Sequence, residues 1–251
     1  MDFQTITLRD GTKLEAPMRV PMTGNAKGVG QVGYQVFLQE NTKGILLHME
    51  AINRATKMFF SNVDSVLHPF GGLGMAAQCM DRTLGKALHH AFWERDKDCC
   101  DALKEMFYGE GESAVYVART RDSFADLAAI KSRFFDQYDL IYIDPTAMTV
   151  KKDLLWDVWA NLSASTCPNF WFVDSAMSKI WLHTKTYSEF FGSPVADIND
   201  YFRLYNARLW TMGLKIVDLC REGTVVYATV QRKSRSDGDG QPITPCIIDL
   251  R

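Results

Sequence analysis

This sequence predicts an α/β fold: a mostly parallel sheet with an antiparallel strand hairpin at its C-terminal side. Three observations carry the prediction. Short apolar runs near 63–68, 90–94, 113–118, 138–143 and 169–174 alternate with amphipathic segments near 74–87, 96–107, 122–136, 149–163 and 176–191, the order expected of parallel strands with helical crossovers. Glycines cluster directly after the first of these strands, at 71, 72 and 74. Finally, the apolar runs 214–219 and 224–230 are separated only by a short stretch containing Arg221-Glu222-Gly223, too short for a parallel crossover.

Residues 1–60 form an N-terminal extension. Ile6-Thr7-Leu8 and Lys13-Leu14-Glu15 flank Asp10-Gly11, a hairpin turn signal. The stretch 23–33 carries Gly24, Gly28, Gly30 and Gly33 among small and polar residues, which suits either a mobile loop or a plain linker. From about 34 to 59 the positions Phe37, Ile45, Leu46, Met49, Ile52 and Ala55 follow helical spacing. The α/β domain then occupies 61–233, with a last helix near 198–211 before the hairpin. The tail 234–251 opens on Ser234-Arg235-Ser236-Asp237-Gly238 and reads as loose.

Composition excludes several classes. A chain of 251 residues with 47% hydrophobic content can bury a sizeable core, which rules out a disordered chain. Lys and Arg total 28 against 30 Asp and Glu, a net charge of −2, so no global basic field marks nucleic-acid binding, although a local patch stays compatible with it. Six cysteines (Cys79, Cys99, Cys100, Cys167, Cys220 and Cys246) contain no CxxC pair. They read as reduced thiols of an intracellular, cytoplasmic protein and not as a metal site. With no signal peptide and no apolar run of about 18 residues, neither secretion nor membrane spanning is expected.

The segment Val66-Leu67-His68-Pro69-Phe70-Gly71-Gly72-Leu73-Gly74-Met75-Ala76-Ala77 points to a nucleotide-type ligand. Glycines there would permit positive φ and remove Cβ atoms from the path of a ligand approaching main-chain N–H groups. Gly72 to Ala77 fits GxGxxA, and Glu94 lies about 20 residues on, at a strand end suited to a ribose-binding acid. That pattern alone admits an NAD(P)-dependent oxidoreductase. The extension before it, and a terminal hairpin in place of a second mononucleotide-binding half, favour a different nucleoside ligand.

Pro69-Phe70-Gly71-Gly72-Leu73-Gly74 resembles the PFxGxG motif of class I S-adenosylmethionine-dependent methyltransferases, particularly those that modify nucleic-acid bases, and the later landmarks of that superfamily follow in order. The resemblance implies a Rossmann-like sheet with a reversed last strand and S-adenosylmethionine as cofactor. Phe70, Gly71, Gly72 and Gly74 would line its site. Glu94 would accept from the ribose hydroxyls, and Asp122 and Ser123 would lie at the adenine. Asp144 and Pro145, in Tyr142-Ile143-Asp144-Pro145, match the start of the catalytic loop, where Asp144 would accept a hydrogen bond from an attacking amine. The implied reaction is methyl transfer to a nitrogen of a base in DNA or RNA. His68 stands where the superfamily often has an acid, Thr146-Ala147 replaces the usual proline and aromatic residue, and no Pro-Cys nucleophile motif is present. A catalytically inactive partner subunit of this fold is therefore the alternative reading.

Other chemistry-bearing residues read as structural or remain open. His68 is either a hydrogen-bonded strand-end residue or a catalytic one. His89-His90 lacks a helical i, i+4 partner and does not suggest a metal site. The aromatic-rich region 176–210, with Trp181, Tyr187, Phe190, Phe191, Tyr201 and Tyr205, reads as core or as an interface for a protein partner or a second copy, with a substrate cleft as the alternative. Lys151, Lys152, Arg203 and Arg208 supply local positive charge or simply solvated helix faces.

Overall fold

A computed structural model describes residues 3–17, 42–72, 74–95, 97–108, 115–120, 122–145, 152–174, 187–222, 225–238 and 240–250. The loop 23–33 and residues Leu73, Thr146, Ala147, Lys151 and Trp181 lie outside them, as does most of the helix expected at 176–191. The chain divides into two compact units, one running to Ser123 and including Leu250, the other Phe124–Asp249.

The first unit opens with the antiparallel hairpin β1 (Phe3–Thr7) and β2 (Lys13–Pro17), in register Thr5↔Glu15. Gly11 takes φ 88° in the turn. A two-stranded hairpin is marginal alone, but Ile6, Leu8 and Leu14 are buried, each contributing about 2 kcal/mol. Its turn is tied to α1 (Thr42–Phe59). Asp10 accepts from Asn53 at 2.7 Å and from Lys57, and these two donors hold its carboxyl well below the usual range. The hairpin expected within the N-terminal extension thus contributes buried residues to this unit.

Three parallel strands follow, β3 (Ser65–His68), β4 (His89–Glu94) and β5 (Val115–Arg119), with β4 in the middle. They are connected through α2 (Met75–Leu84) and α3 (Lys97–Tyr108). Ala77, Phe92, Leu103, Phe107 and Val115 form the apolar layer that seats the two helices on the strands.

The second unit contains α4 from Phe124 onward (Ser123–Ala129), β6 (Leu140–Ile143), α5 (Lys152–Ser163), β7 (Asn169–Asp174), a helical turn at 187–191, α6 (Ile198–Thr211), β8 (Leu214–Glu222) and β9 (Val225–Arg232). β6 and β7 are parallel, and β9 runs antiparallel to both β7 and β8. The order β6-β7-β9-β8 is the parallel set with a reversed last strand expected above.

Two expectations are corrected. The helix expected across 122–136 stops at Ala129 and resumes as a 3-10 turn, Ser132–Gln137, because Asn161 Nδ2 donates to the carbonyls of Leu127 (2.7 Å) and Ile130 (2.6 Å) and so satisfies the groups that mark a helix end. The tail is not uniformly loose. Ser234 and Asp237 close a capping box, and β10 (Ile247–Asp249) pairs in parallel with β8.

Arg232 ends β9 by serving as a helix cap. Its guanidinium donates to the carbonyls of Leu162 (3.0 Å) and Ser163 (2.8 Å) at the C-terminus of α5 and to that of Cys167 (2.7 Å) beyond it. Arg232→Ala is expected to lower stability by about 2 kcal/mol, read as a reduced urea midpoint with an unchanged slope.

Candidate active site

The glycine turn begins where β3 ends. Gly71 N–H donates to Trp93 O (2.9 Å), extending the strand pairing, and Gly74 N–H closes back on Gly71 O (3.1 Å). Gly72 and Gly74 take φ 53° and 71°, left-handed values that favour glycine, whereas Gly71 does not. The reason Gly71 and Gly74 lack a side chain also differs from the expectation of ligand approach. A Cβ at Gly74 would stand 2.6 Å from Phe107 Cε2 and 2.7 Å from Leu103 Cδ2, and one at Gly71 would meet Leu103 and Phe92 at 3.2 Å. Packing of α3 against the turn imposes both glycines. Gly74 then leads into α2 as its N-cap, with no side-chain cap, at the kind of helix end that favours an anion.

Glu94, at the carboxyl end of β4, reaches across to the turn. Its Oε2 accepts from Gly72 N–H (2.8 Å) and its Oε1 from Arg95 N–H (2.7 Å). The carboxylate thus holds the turn through both of its oxygens. At the neighbouring strand end, Thr120 N–H donates to Glu94 O (3.0 Å), and half-buried Asp122 follows with its N–H on Thr120 Oγ1 (3.3 Å). Ser123, expected at the adenine, is buried and donates its hydroxyl to Pro69 O, which ties the start of α4 to the glycine turn. Phe70 is half-buried. The structure therefore brings the turn, Glu94, Asp122 and Ser123 together at the carboxyl ends of three parallel strands, where α/β sheets bind ligands.

His68 faces away from solvent, buried and stacked on Phe92 with ring centroids 4.7 Å apart. Its Nε2 lies 3.0 Å from His90 Nδ1, and His90 Nε2 lies 3.0 Å from Asp81 Oδ1. The two imidazoles and the Asp81 carboxylate thus form one hydrogen-bonded chain, its donor and acceptor roles set by the imidazole tautomers. Sequence reading missed this chain because its members, 68, 81 and 90, meet only through the register that sets Val66 opposite His90. Burial, with the neighbouring His90, pushes His68 well below the ordinary imidazole pKa. Cys79 and Cys167 are pushed up to about 12 by burial, which removes them as nucleophiles at neutral pH.

In the second unit Asp144 follows the last residue of β6, half-buried, and accepts from Tyr142 Oη at 3.0 Å, and Pro145 is buried beside it. At the end of the adjacent β7, buried Asp174 accepts from Tyr201 Oη at 2.6 Å. Burial, reinforced by this carboxylate, pushes the Tyr201 phenol well above its ordinary pKa, so it stays a donor at neutral pH. Tyr187, Tyr201 and Tyr205 are core residues, while Phe190 and Phe191 are half-buried.

The chain is similar in fold to Trm1 from Pyrococcus horikoshii, solved with S-adenosyl-L-methionine, at TM-score 0.56 and 11% identity over 74% of this chain and 55% of that one. It is similar to an O-methyltransferase family protein from Burkholderia thailandensis at 0.52 and 12%, over 80% and 63%. A third likeness is to magnesium protoporphyrin IX methyltransferase from Synechocystis PCC 6803 with bound SAH, at 0.51 and 8%, over 74% and 84%. The chain thus spans less than two thirds of the first two. No family model matches the sequence, and no curated protein matches it. The likeness is one of fold, the Rossmann-like methyltransferase class. Among the described residues, no helix is long and apolar enough to cross a membrane.

Two outcomes follow from this geometry. Gly74→Ala combines a left-handed backbone with a collision against Phe107 and should cost about 2–4 kcal/mol in urea unfolding. His68 stays neutral when folded but protonates in the unfolded chain below about pH 6.5, so its contribution to stability falls as pH falls. Lowering the pH from about 6.5 to about 5.5 should therefore destabilise wild type more than His68→Phe in urea unfolding.

Proposed function

We propose that this chain is an S-adenosylmethionine-dependent methyltransferase acting on a nitrogen, with a nucleic-acid base as the acceptor. The observation that carries the cofactor reading is Glu94, held at the carboxyl end of β4 by Gly72 N–H at 2.8 Å, where a carboxylate is placed to accept from ribose hydroxyls. The residues present fit the group. The uncapped N-terminus of α2 suits the methionine carboxylate, Phe70 offers an apolar ring, and Asp122 can accept from the adenine amino group. When bound, S-adenosylmethionine supplies an electrophilic methyl group on a sulfonium centre.

This chemistry asks little acid or base work of the protein, which must orient the acceptor and exclude water. Asp144 can accept a hydrogen bond from an acceptor N–H, which orients the nitrogen lone pair and raises its nucleophilicity. Tyr142, whose hydroxyl donates to Asp144 Oδ2, fixes the carboxylate. The base as acceptor is supported by Asp144-Pro145 at the strand end and by the Pro69-Phe70-Gly71 motif. The buried position of His68 leaves the methionine amino group to other acceptors, so catalysis does not require an acid at 68.

Calorimetry with S-adenosylmethionine should show binding that weakens by about 10–100-fold in Glu94→Gln, the loss of one or two charge-assisted hydrogen bonds. Absence of heat at millimolar ligand overturns the cofactor reading. Asp144→Asn should reduce methyl transfer to nucleic acid without changing cofactor affinity, and an unchanged transfer rate removes Asp144 from the reaction.

A further inference from the structure

The second unit carries a cleft that the proposed methyl-transfer chemistry does not use. It has a volume of about 370 Å³ and lies against the outer side of α6, with Trp156 of α5, Phe190 and Phe191 of the 187–191 turn, and Leu204, Ala207 and Arg208 of α6 among its walls. That volume falls within the range of ligand-sized clefts, about 300–1,000 Å³. Trp156 stacks on Phe190 with centroids 5.2 Å apart and planes 16° apart, and Phe191 meets Trp156 at 63°. The three rings are half-buried, so each keeps surface available for contact.

Charge selects the occupant. The exposed Arg208 guanidinium lies 5.8 Å from the Trp156 ring centroid, and among the described residues no carboxylate is paired with it. Arg203, five residues earlier on the same helix, is by contrast bonded to Asp200 at 3.2 Å. Asp157 and Glu189, exposed acids of the same elements, do not line the cleft. The same end of α6 bears a second aromatic-cation pair, Lys233 Nζ at 3.8 Å from the Trp210 ring centroid. Flat aromatic surface beside unneutralised cations matches a ligand that alternates planar rings with negative charge. A single-stranded nucleic acid has that repeat, its bases stacking on the rings and its phosphates meeting the cations.

We infer that the Trp156-Phe190-Phe191-Arg208 cleft is an accessory binding site for single-stranded nucleic acid, seating one base against the aromatic wall with its phosphate on Arg208. The inference rests on the reading of nucleic acid as the methyl acceptor and deepens it by placing a strand contact on the α5-α6 surface. It also gives Arg203 and Arg208 different roles, though both lie on one helix.

The test is fluorescence anisotropy of the full chain with a labelled oligothymidylate of about 12 nucleotides. Binding should weaken at least about tenfold in Arg208→Glu and in Phe190→Ala, and no more than about twofold in Arg203→Glu. S-adenosylmethionine binding by calorimetry should be unchanged in all three, which also reports that they fold. Equal losses in Arg203→Glu and Arg208→Glu would show diffuse electrostatic attraction and overturn the site. Tight binding unaffected by Arg208→Glu and Phe190→Ala would overturn the site while leaving the nucleic-acid acceptor standing. If wild type binds S-adenosylmethionine but no strand, the acceptor reading and the site both fall.

Discussion

A side chain of one carbon at position 74 would stand 2.6 Å from the Phe107 ring, and the turn that leaves β3 is built around that constraint. Because α3 packs so closely, the chain leaving β3 must turn with glycine, and the left-handed turn then presents Gly72 N–H toward the end of β4. Glu94 accepts from it at 2.8 Å. The turn is thereby held from two sides, by apolar packing on one and a charge-assisted hydrogen bond on the other. A site whose backbone is fixed before ligand arrives loses little entropy when the ligand binds.

Through the apolar layer beneath the turn runs a hydrogen-bonded chain, His68 to His90 to Asp81. An unpaired imidazole there would cost several kcal/mol, and the chain removes that cost by ending on a carboxylate at the rim, where Asp81 is 19% exposed. His68 occupies a position that reads from sequence as pocket-facing, yet its ring stacks on Phe92 inside the unit. Standing immediately before Pro69, it anchors the start of the turn through this stacking and its contact with His90.

Much of the fold was legible because it depends on local pattern. The strands β3 to β7 and the reversed pair β8 and β9 announce themselves through apolar runs whose spacing permits only certain connections. The end of α4 was not legible, since it depends on Asn161, more than thirty residues away, reaching the carbonyls of Leu127 and Ile130. Nor was β10, a three-residue strand whose pairing with β8 comes from the sheet edge it meets. At the candidate site, Glu94 and the glycines could be found by spacing. That Gly71 and Gly74 answer to Leu103 and Phe107, and that Ser123 binds the Pro69 carbonyl, required tertiary structure. The Trp156-Arg208 pairing joins two helices and leaves no trace in either one's sequence.

The central claim is that Gly72 and Glu94 together form the cofactor-binding end of this unit. Amide chemical shifts of the isotopically labelled protein, followed during titration with S-adenosylmethionine, test it most directly. The account predicts saturable shifts at Gly72 and Arg95, whose N–H groups both donate to Glu94, together with Gly71 and Asp122. Amides at these positions that stay unmoved at millimolar ligand, or shifts confined to other residues, would contradict it.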